Sequence, residues 1–155
     1  MTDPGAPNID TLDQAAGESA RFWEEIYRER TRPSTGRPNP ILADIASALP
    51  PGPALDLGCA LGDDAIWLAG RGWQVTAVDV SSTALKRASA RATELAVAGR
   101  VAFERHDLAS SFPDGTFDLV YALYLQSPVE FGRDRVLQRA ARAVAPNGRL
   151  VERPT

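Results

Sequence analysis

A single cysteine, a single histidine and a single lysine limit the chemistry open to this 155-residue chain. Cys59 alone excludes an intramolecular disulfide framework and a cysteine-built zinc site, and His106 alone excludes a multi-histidine metal centre. No metal site is expected. No apolar run reaches the roughly 18 residues that a membrane span needs. The opening residues, MTDPGAPNID, lack the charged and apolar regions of a signal peptide. The expected location is the cytoplasm. Positive charge is not in excess either: 17 basic against 20 acidic residues give a formal net charge of −3. That balance counts against a nucleic-acid partner and against a polybasic membrane anchor.

What is present suits one globular domain. The hydrophobic fraction of 44% and charged fraction of 24% are ordinary for a folded chain, and the length suits a single core. Residues 1–12, rich in Pro, Gly, Asn and Asp, are expected to form a disordered tail, with one domain over 13–155. Helical periodicity runs from about Asp13 to Arg30, with Ala20, Trp23 and Tyr27 on one face and Phe22 and Ile26 beside them. Those aromatic residues either pack on a sheet or cap a ligand pocket. Asn39 before Pro40 is an N-cap followed by proline at the first helical position, opening a helix to about Leu49.

Beyond Pro50-Pro51-Gly52-Pro53 the pattern alternates between strand and helix. Strands are expected at Ala54–Leu57, Trp73–Val78, Val101–Arg105, Phe117–Leu123 and Arg149–Glu152. Helices are expected from Asp63 to Ala69, from Ser82 to Ala98, and over a last segment containing Val136, Leu137, Ala140, Ala141 and Val144, closed by Pro146-Asn147-Gly148. Such alternation predicts an α/β fold, a doubly wound and mostly parallel sheet of about five strands.

The chemically informative stretch is Ala54-Leu55-Asp56-Leu57-Gly58-Cys59-Ala60-Leu61-Gly62-Asp63-Asp64. A strand there runs into a glycine-containing turn that opens a helix, so backbone N–H groups and the positive helix end are expected to face a ligand. Asp79 ends the next strand, about 20 positions after Gly58, an offset suited to hydrogen bonds with ribose hydroxyls. The dinucleotide spacing G-x-G-x-x-G fails, because Ala60 and Asp63 stand where glycines belong. A P-loop fails as well, since Lys86 is far from the turn. Elsewhere plainer readings stand. His106 reads as a solvated flank, Trp67 and Trp73 as packing, Asp63 and Asp64 as partners of a helix dipole, and Arg139, Arg142 and Arg149 as a solvated face.

The segments FWEEIY, GRPNP, ALDLGC, DDAIWLA, GWQVTAVDVS, HDL, FDLVYALYLQSP and AVAPNGRLV together resemble the class I S-adenosylmethionine-dependent methyltransferases, in the tellurite-resistance and thiopurine-like branch. The resemblance implies a Rossmann-like fold, S-adenosyl-L-methionine as cofactor and methyl transfer to a small-molecule acceptor. It implies that Gly58, Cys59, Ala60 and Gly62 line the methionine portion, with Asp56 near its ammonium group. Asp79 would hold the ribose hydroxyls, Val80 the adenine face, and Asp107 and Leu108 the adenine edge. Tyr121, Ala122 and Leu123 would flank the sulfonium. No catalytic residue is implied, because the sulfonium already carries an activated methyl group.

The chain departs from the family pattern in three places. Relatives carry glycine at the position of Ala60, and the loop before Gly36 reads Pro33-Ser34-Thr35 where a tryptophan is common. The family sheet has seven strands and this pattern ends after the fifth, so the expectation is a C-terminally short member. A truncated, non-catalytic relative that binds the cofactor weakly or pairs with another chain is the alternative. The fifth strand, 149–152, is accordingly expected to be an exposed edge through which copies can pair as a homo-oligomer. At Ala60 a methyl group is expected either to intrude on the ligand or to force a left-handed backbone.

Overall fold

The computed structural model describes residues 17–29, 34–125 and 132–153. The expected tail over 1–12 lies outside the described residues. Helix α1 spans Gly17–Glu29 and α2 spans Pro40–Ser47. After them come β1 (Pro53–Leu57), α3 (Asp63–Gly70), β2 (Gln74–Asp79), α4 (Ser82–Glu94) and a 3-10 turn, Ala98–Arg100. The chain continues through β3 (Val101–Arg105), β4 (Phe117–Ala122), α5 (Arg133–Arg142) and β5 (Val144–Glu152). The strands form one sheet in the order β3-β2-β1-β4-β5, and every pairing is parallel.

The central strands are buried on both faces, which accounts for their nearly continuous apolar runs. On one face, Ala54, Ala77, Leu119 and Tyr121 pack with Leu42 and Ala46 of α2, Ala65 and Leu68 of α3, and Leu85 of α4. On the other, Leu55, Leu57, Val78, Val120 and Ala122 pack with Val136 and Ala140 of α5. Chain direction across the sheet reverses between β1 and β4. In open parallel sheets the carboxyl ends of the strands at that point form a crevice.

Local signals explain most element ends. The Asn39 side chain accepts a hydrogen bond from the Ile41 N–H at 2.9 Å, with Pro40 at the first helical position. Ser81 caps α4 by accepting from the Ala84 N–H at 3.1 Å. Two ends differ from the sequence expectation. Helix α4 stops at Glu94 rather than Ala98. It closes with Ala96 N–H on the Thr93 carbonyl (3.1 Å) and Val97 N–H on the Ala92 carbonyl (2.9 Å), with Ala96 left-handed at φ 60°. This is a Schellman closure without its customary glycine, so the stop signal was absent from the sequence.

The second difference is at β5. Val144 belongs to the strand and pairs with Phe117, whereas Leu119 pairs with Arg149, so residues 145–148 bulge between two paired stretches. Pro146-Asn147-Gly148 therefore interrupts a strand instead of preceding it. Asn147 takes φ 67°, and a side-chain carbon at Gly148 would meet the Asp118 carbonyl at 2.9 Å. Strand β5 forms one edge of the described sheet, and its side chains are half-buried or exposed.

Replacing Ala96 with glycine should stabilise the protein. A left-handed alanine costs about 1–2 kcal/mol, offset by about 0.4–1 kcal/mol of added freedom in the unfolded chain. The expected result is a melting temperature about 1–3 °C higher, measured by circular dichroism, with an unchanged spectrum.

Candidate functional site

A cleft opens at the carboxyl ends of β1, β2 and β4. Gly58, Ala60, Asp79, Val80, Asp107 and Leu108 line one side. Ser19, Trp23 and Tyr27 of α1 line another, and His106, Tyr124 and Leu125 complete the wall. Of the twelve residues implied by resemblance, six therefore meet in one cleft.

Asp56, Cys59, Gly62, Tyr121, Ala122 and Leu123 do not line it. Gly62 begins α3 with φ 83°, and a side-chain carbon there would lie 2.9 Å from Ala88 Cβ of α4. Its lack of a side chain permits close packing of the two helices. Tyr121 and Ala122 are buried on opposite faces of the sheet.

The N–H groups of Gly58, Cys59, Ala60 and Gly62 are not free for a ligand, in contrast to the expectation from the sequence. Gly58 and Cys59 N–H groups both donate to the Val78 carbonyl, at 2.9 and 2.8 Å, and the Gly62 N–H donates to the Cys59 carbonyl at 2.9 Å. The Ala60 N–H donates to Asp79 Oδ2 at 2.9 Å. Ala60 is left-handed at φ 51°, so of the two expected consequences of alanine at this position, the strained backbone is the one observed. The other oxygen, Asp79 Oδ1, accepts from the Ser81 N–H at 3.0 Å. A carboxylate has roughly four lone-pair positions, so Asp79 retains capacity toward the cleft.

Acids at the start of α3 secure the segment that precedes α2. Asp63 accepts from the Thr35 N–H (3.2 Å), the Thr35 hydroxyl (3.1 Å) and the Gly36 N–H (3.2 Å). Asp64 accepts from the Asn39 N–H at 2.7 Å. Their role here exceeds the helix-dipole partnership read from the sequence.

Asp56, Asp64 and Asp79 are all buried, and among the described residues no cationic side chain forms an ion pair with them. Burial pushes the Asp56 carboxyl well above the usual range, and the neighbouring Asp64 charge adds to it. Asp64 and Asp79 are also raised, again by burial first, although backbone N–H groups pull each back. Tyr121 pairs in register with Asp56 on the same face. Its hydroxyl is buried without a hydrogen bond of ordinary geometry. Burial and the Asp56 and Asp64 charges push its ionisation far up.

His106 departs from its expected place as a solvated flank, since it lines the cleft with its side chain 17% exposed. Nδ1 lies 2.8 Å from the Ser111 hydroxyl and Nε2 lies 3.0 Å from Glu104 Oε1. For the α1 aromatics, the structure favours the capping arrangement. Ser19 carried no sequence signal that distinguished it from surface residues, and the only signal at His106 was its place in the HDL segment. Tyr124 and Leu125 lie just past the carboxyl end of β4, where the crevice rule points.

Residues 54–148 match a family model described as a methyltransferase domain. The chain belongs to that family. A probable thiol methyltransferase of Arabidopsis thaliana is 29% identical over 137 residues, covering 86% of this chain and 61% of that protein. Methyltransferase GfsG of Streptomyces halstedii is 30% identical over 147 residues, 93% of this chain and 46% of its own length. A solved S-adenosylmethionine-dependent methyltransferase from Thiobacillus denitrificans, in complex with S-adenosylhomocysteine, has a TM-score of 0.64 at 25% identity, covering 85% of this chain and 54% of that one. The five parallel strands thus form the Rossmann-like class I methyltransferase sheet. The chain spans roughly half the length of the relatives it matches. Among its described residues no helix is long and apolar enough to cross a membrane.

The buried acids make a pH test possible. Asp56, Asp64 and Asp79 bind their protons more tightly folded than unfolded, so stability present near pH 4 falls as pH rises through their raised values. Asp56→Asn removes the most strongly raised of these charges at nearly constant volume. It should raise the melting temperature at pH 7.5 by several degrees and flatten its decline between pH 4.5 and 7.5 in a thermal-melt series.

Proposed function

We propose that the cleft binds S-adenosyl-L-methionine and that the protein takes part in methyl transfer to a small-molecule acceptor. The observation that carries this reading is Asp79, a buried carboxylate at a strand end, positioned by two backbone N–H groups and still open to the cleft. Vicinal ribose hydroxyls are the donors it would accept. Val80 would meet the adenine face, and Asp107 and Leu108 its edge. Gly58 and Ala60 would line the methionine end, supplying close approach in place of hydrogen-bond donors.

The charge of the site fits this ligand. Three buried carboxyls without cationic partners favour a molecule carrying an ammonium and a sulfonium, and they repel a dinucleotide's diphosphate. Asp56 would act on the ammonium through its field from beneath the turn. Cys59 and Gly62 would hold the turn's shape, while Tyr121 and Ala122 support the floor near the sulfonium. When bound, the cofactor supplies an activated methyl group. The chain's part is to orient it and exclude water. The name of the thiol methyltransferase supports a small-molecule acceptor. A cytoplasmic setting accords with the buried free thiol of Cys59.

Isothermal titration with S-adenosylhomocysteine tests the assignment of Asp79. Asp79→Ala should weaken binding by about 2–3 kcal/mol, as expected for losing a charged acceptor. It should also lower the melting temperature, because the Ala60 and Ser81 N–H groups lose their acceptor. Equal affinity in the two proteins sinks the ribose role. A second titration addresses Ala60. Strain at φ 51° is relieved in free and bound protein alike, whereas the methyl group lining the cleft acts on the ligand alone. Ala60→Gly should therefore tighten binding by about 1 kcal/mol without lowering the melting temperature, given the cost of a left-handed alanine. Unchanged affinity would show that the methyl group is accommodated.

A further inference from the structure

Helix α1 lies outside the matched span 54–148, yet it builds part of the cleft. Ser19, Trp23 and Tyr27 recur every four residues and so share one helical face. Their rings are set by mutual contact. Phe22 meets Trp23 edge-on at 5.2 Å, and Trp23 and Tyr27 lie 6.1 Å apart. A 13-residue helix is marginal by itself, so its place depends on tertiary anchors.

A polar anchor reaches into the first turn of α4. The Thr83 hydroxyl donates a short hydrogen bond to Glu24 Oε1, and Arg28 Nε stands 3.6 Å from the same oxygen. Burial pushes the Glu24 carboxyl up, but the Thr83 hydrogen bond and the other favourable contacts outweigh it and hold the group below its usual value. The same turn of α4 is tied to the cleft, because the Ser81 N–H donates to Asp79 Oδ1 and Ser81 caps the helix. One helical turn thus fastens both the strand-end carboxylate and the aromatic cover.

We infer that the Thr83–Glu24 hydrogen bond is a latch that holds Trp23 and Tyr27 over the nucleoside end of the cleft, making Thr83 and Glu24 positioning residues for ligand binding. Neither residue lines the cleft. The inference rests on the proposed cofactor reading, and it also makes a claim about the ligand-free protein. With the latch broken, binding must itself supply the ordering of α1. Affinity then falls by the fraction of molecules in which the helix is docked.

The test compares the full chain with Thr83→Val, which removes the hydroxyl at constant shape, and Thr83→Ser, which restores it. S-adenosylhomocysteine is titrated by calorimetry and by tryptophan fluorescence, with Trp23→Phe identifying the signal. Amide exchange over 17–29 is followed without ligand. The expected result is roughly tenfold weaker binding in Thr83→Val, the scale of one charge-assisted hydrogen bond, with rescue in Thr83→Ser. Exchange in α1 should be faster in Thr83→Val, while the sheet amides stay protected. Unchanged affinity in Thr83→Val overturns the latch, as does unchanged exchange over 17–29. If the wild type fails to bind S-adenosylhomocysteine, the cofactor reading falls, and the exchange comparison still decides whether the latch exists.

Discussion

The carboxylate of Asp79 joins the parts on which the cleft depends. One oxygen holds the Ala60 N–H of the turn after β1, and the other holds the Ser81 N–H at the start of α4. Two βα connections are thereby tied to the end of one strand. A hydrogen bond to a buried charged acceptor is stronger than one between neutral groups, and this explains how a left-handed alanine is tolerated. The strain at Ala60 places its N–H on the carboxylate, and the bond offsets the strain.

Charge is the second constraint. Burying Asp56, Asp64 and Asp79 together without cationic partners among the described residues opposes ionisation of each. Such an arrangement costs folding stability and suits a cationic ligand, whose charge relieves what the protein leaves uncompensated. Uncompensated charge gathers around the turn, while the faces of the sheet are packed with apolar side chains.

Residues from outside the glycine turn complete the site. Asp63 and Asp64 secure residues 35–39 at the start of α2, and α1 supplies an aromatic wall. The matched family span, 54–148, leaves out α1, whose role depends on a contact between Glu24 and Thr83, 59 positions apart.

Most of the fold was legible because apolar period and turn residues act locally. Val101–Arg105 appeared with its observed bounds, and Asn39-Pro40 marked the start of α2 correctly. The errors fell where the local signal was absent or shared. Ala96 closes α4 without a glycine, and the turn residues 146–148 serve inside a strand. At the cleft, the sequence by itself determined the glycine turn and the strand-end acid, since each follows from its place in a βαβ unit, whereas the Asp107-Leu108 pair came only with the family resemblance. Only the tertiary structure decided that the N–H groups of Gly58, Cys59, Ala60 and Gly62 are already taken, that His106 faces inward with both nitrogens bonded, and that Trp23 and Tyr27 cover the cleft. Those facts depend on which distant groups compete for each donor and each apolar face, and neither spacing nor composition encodes that competition.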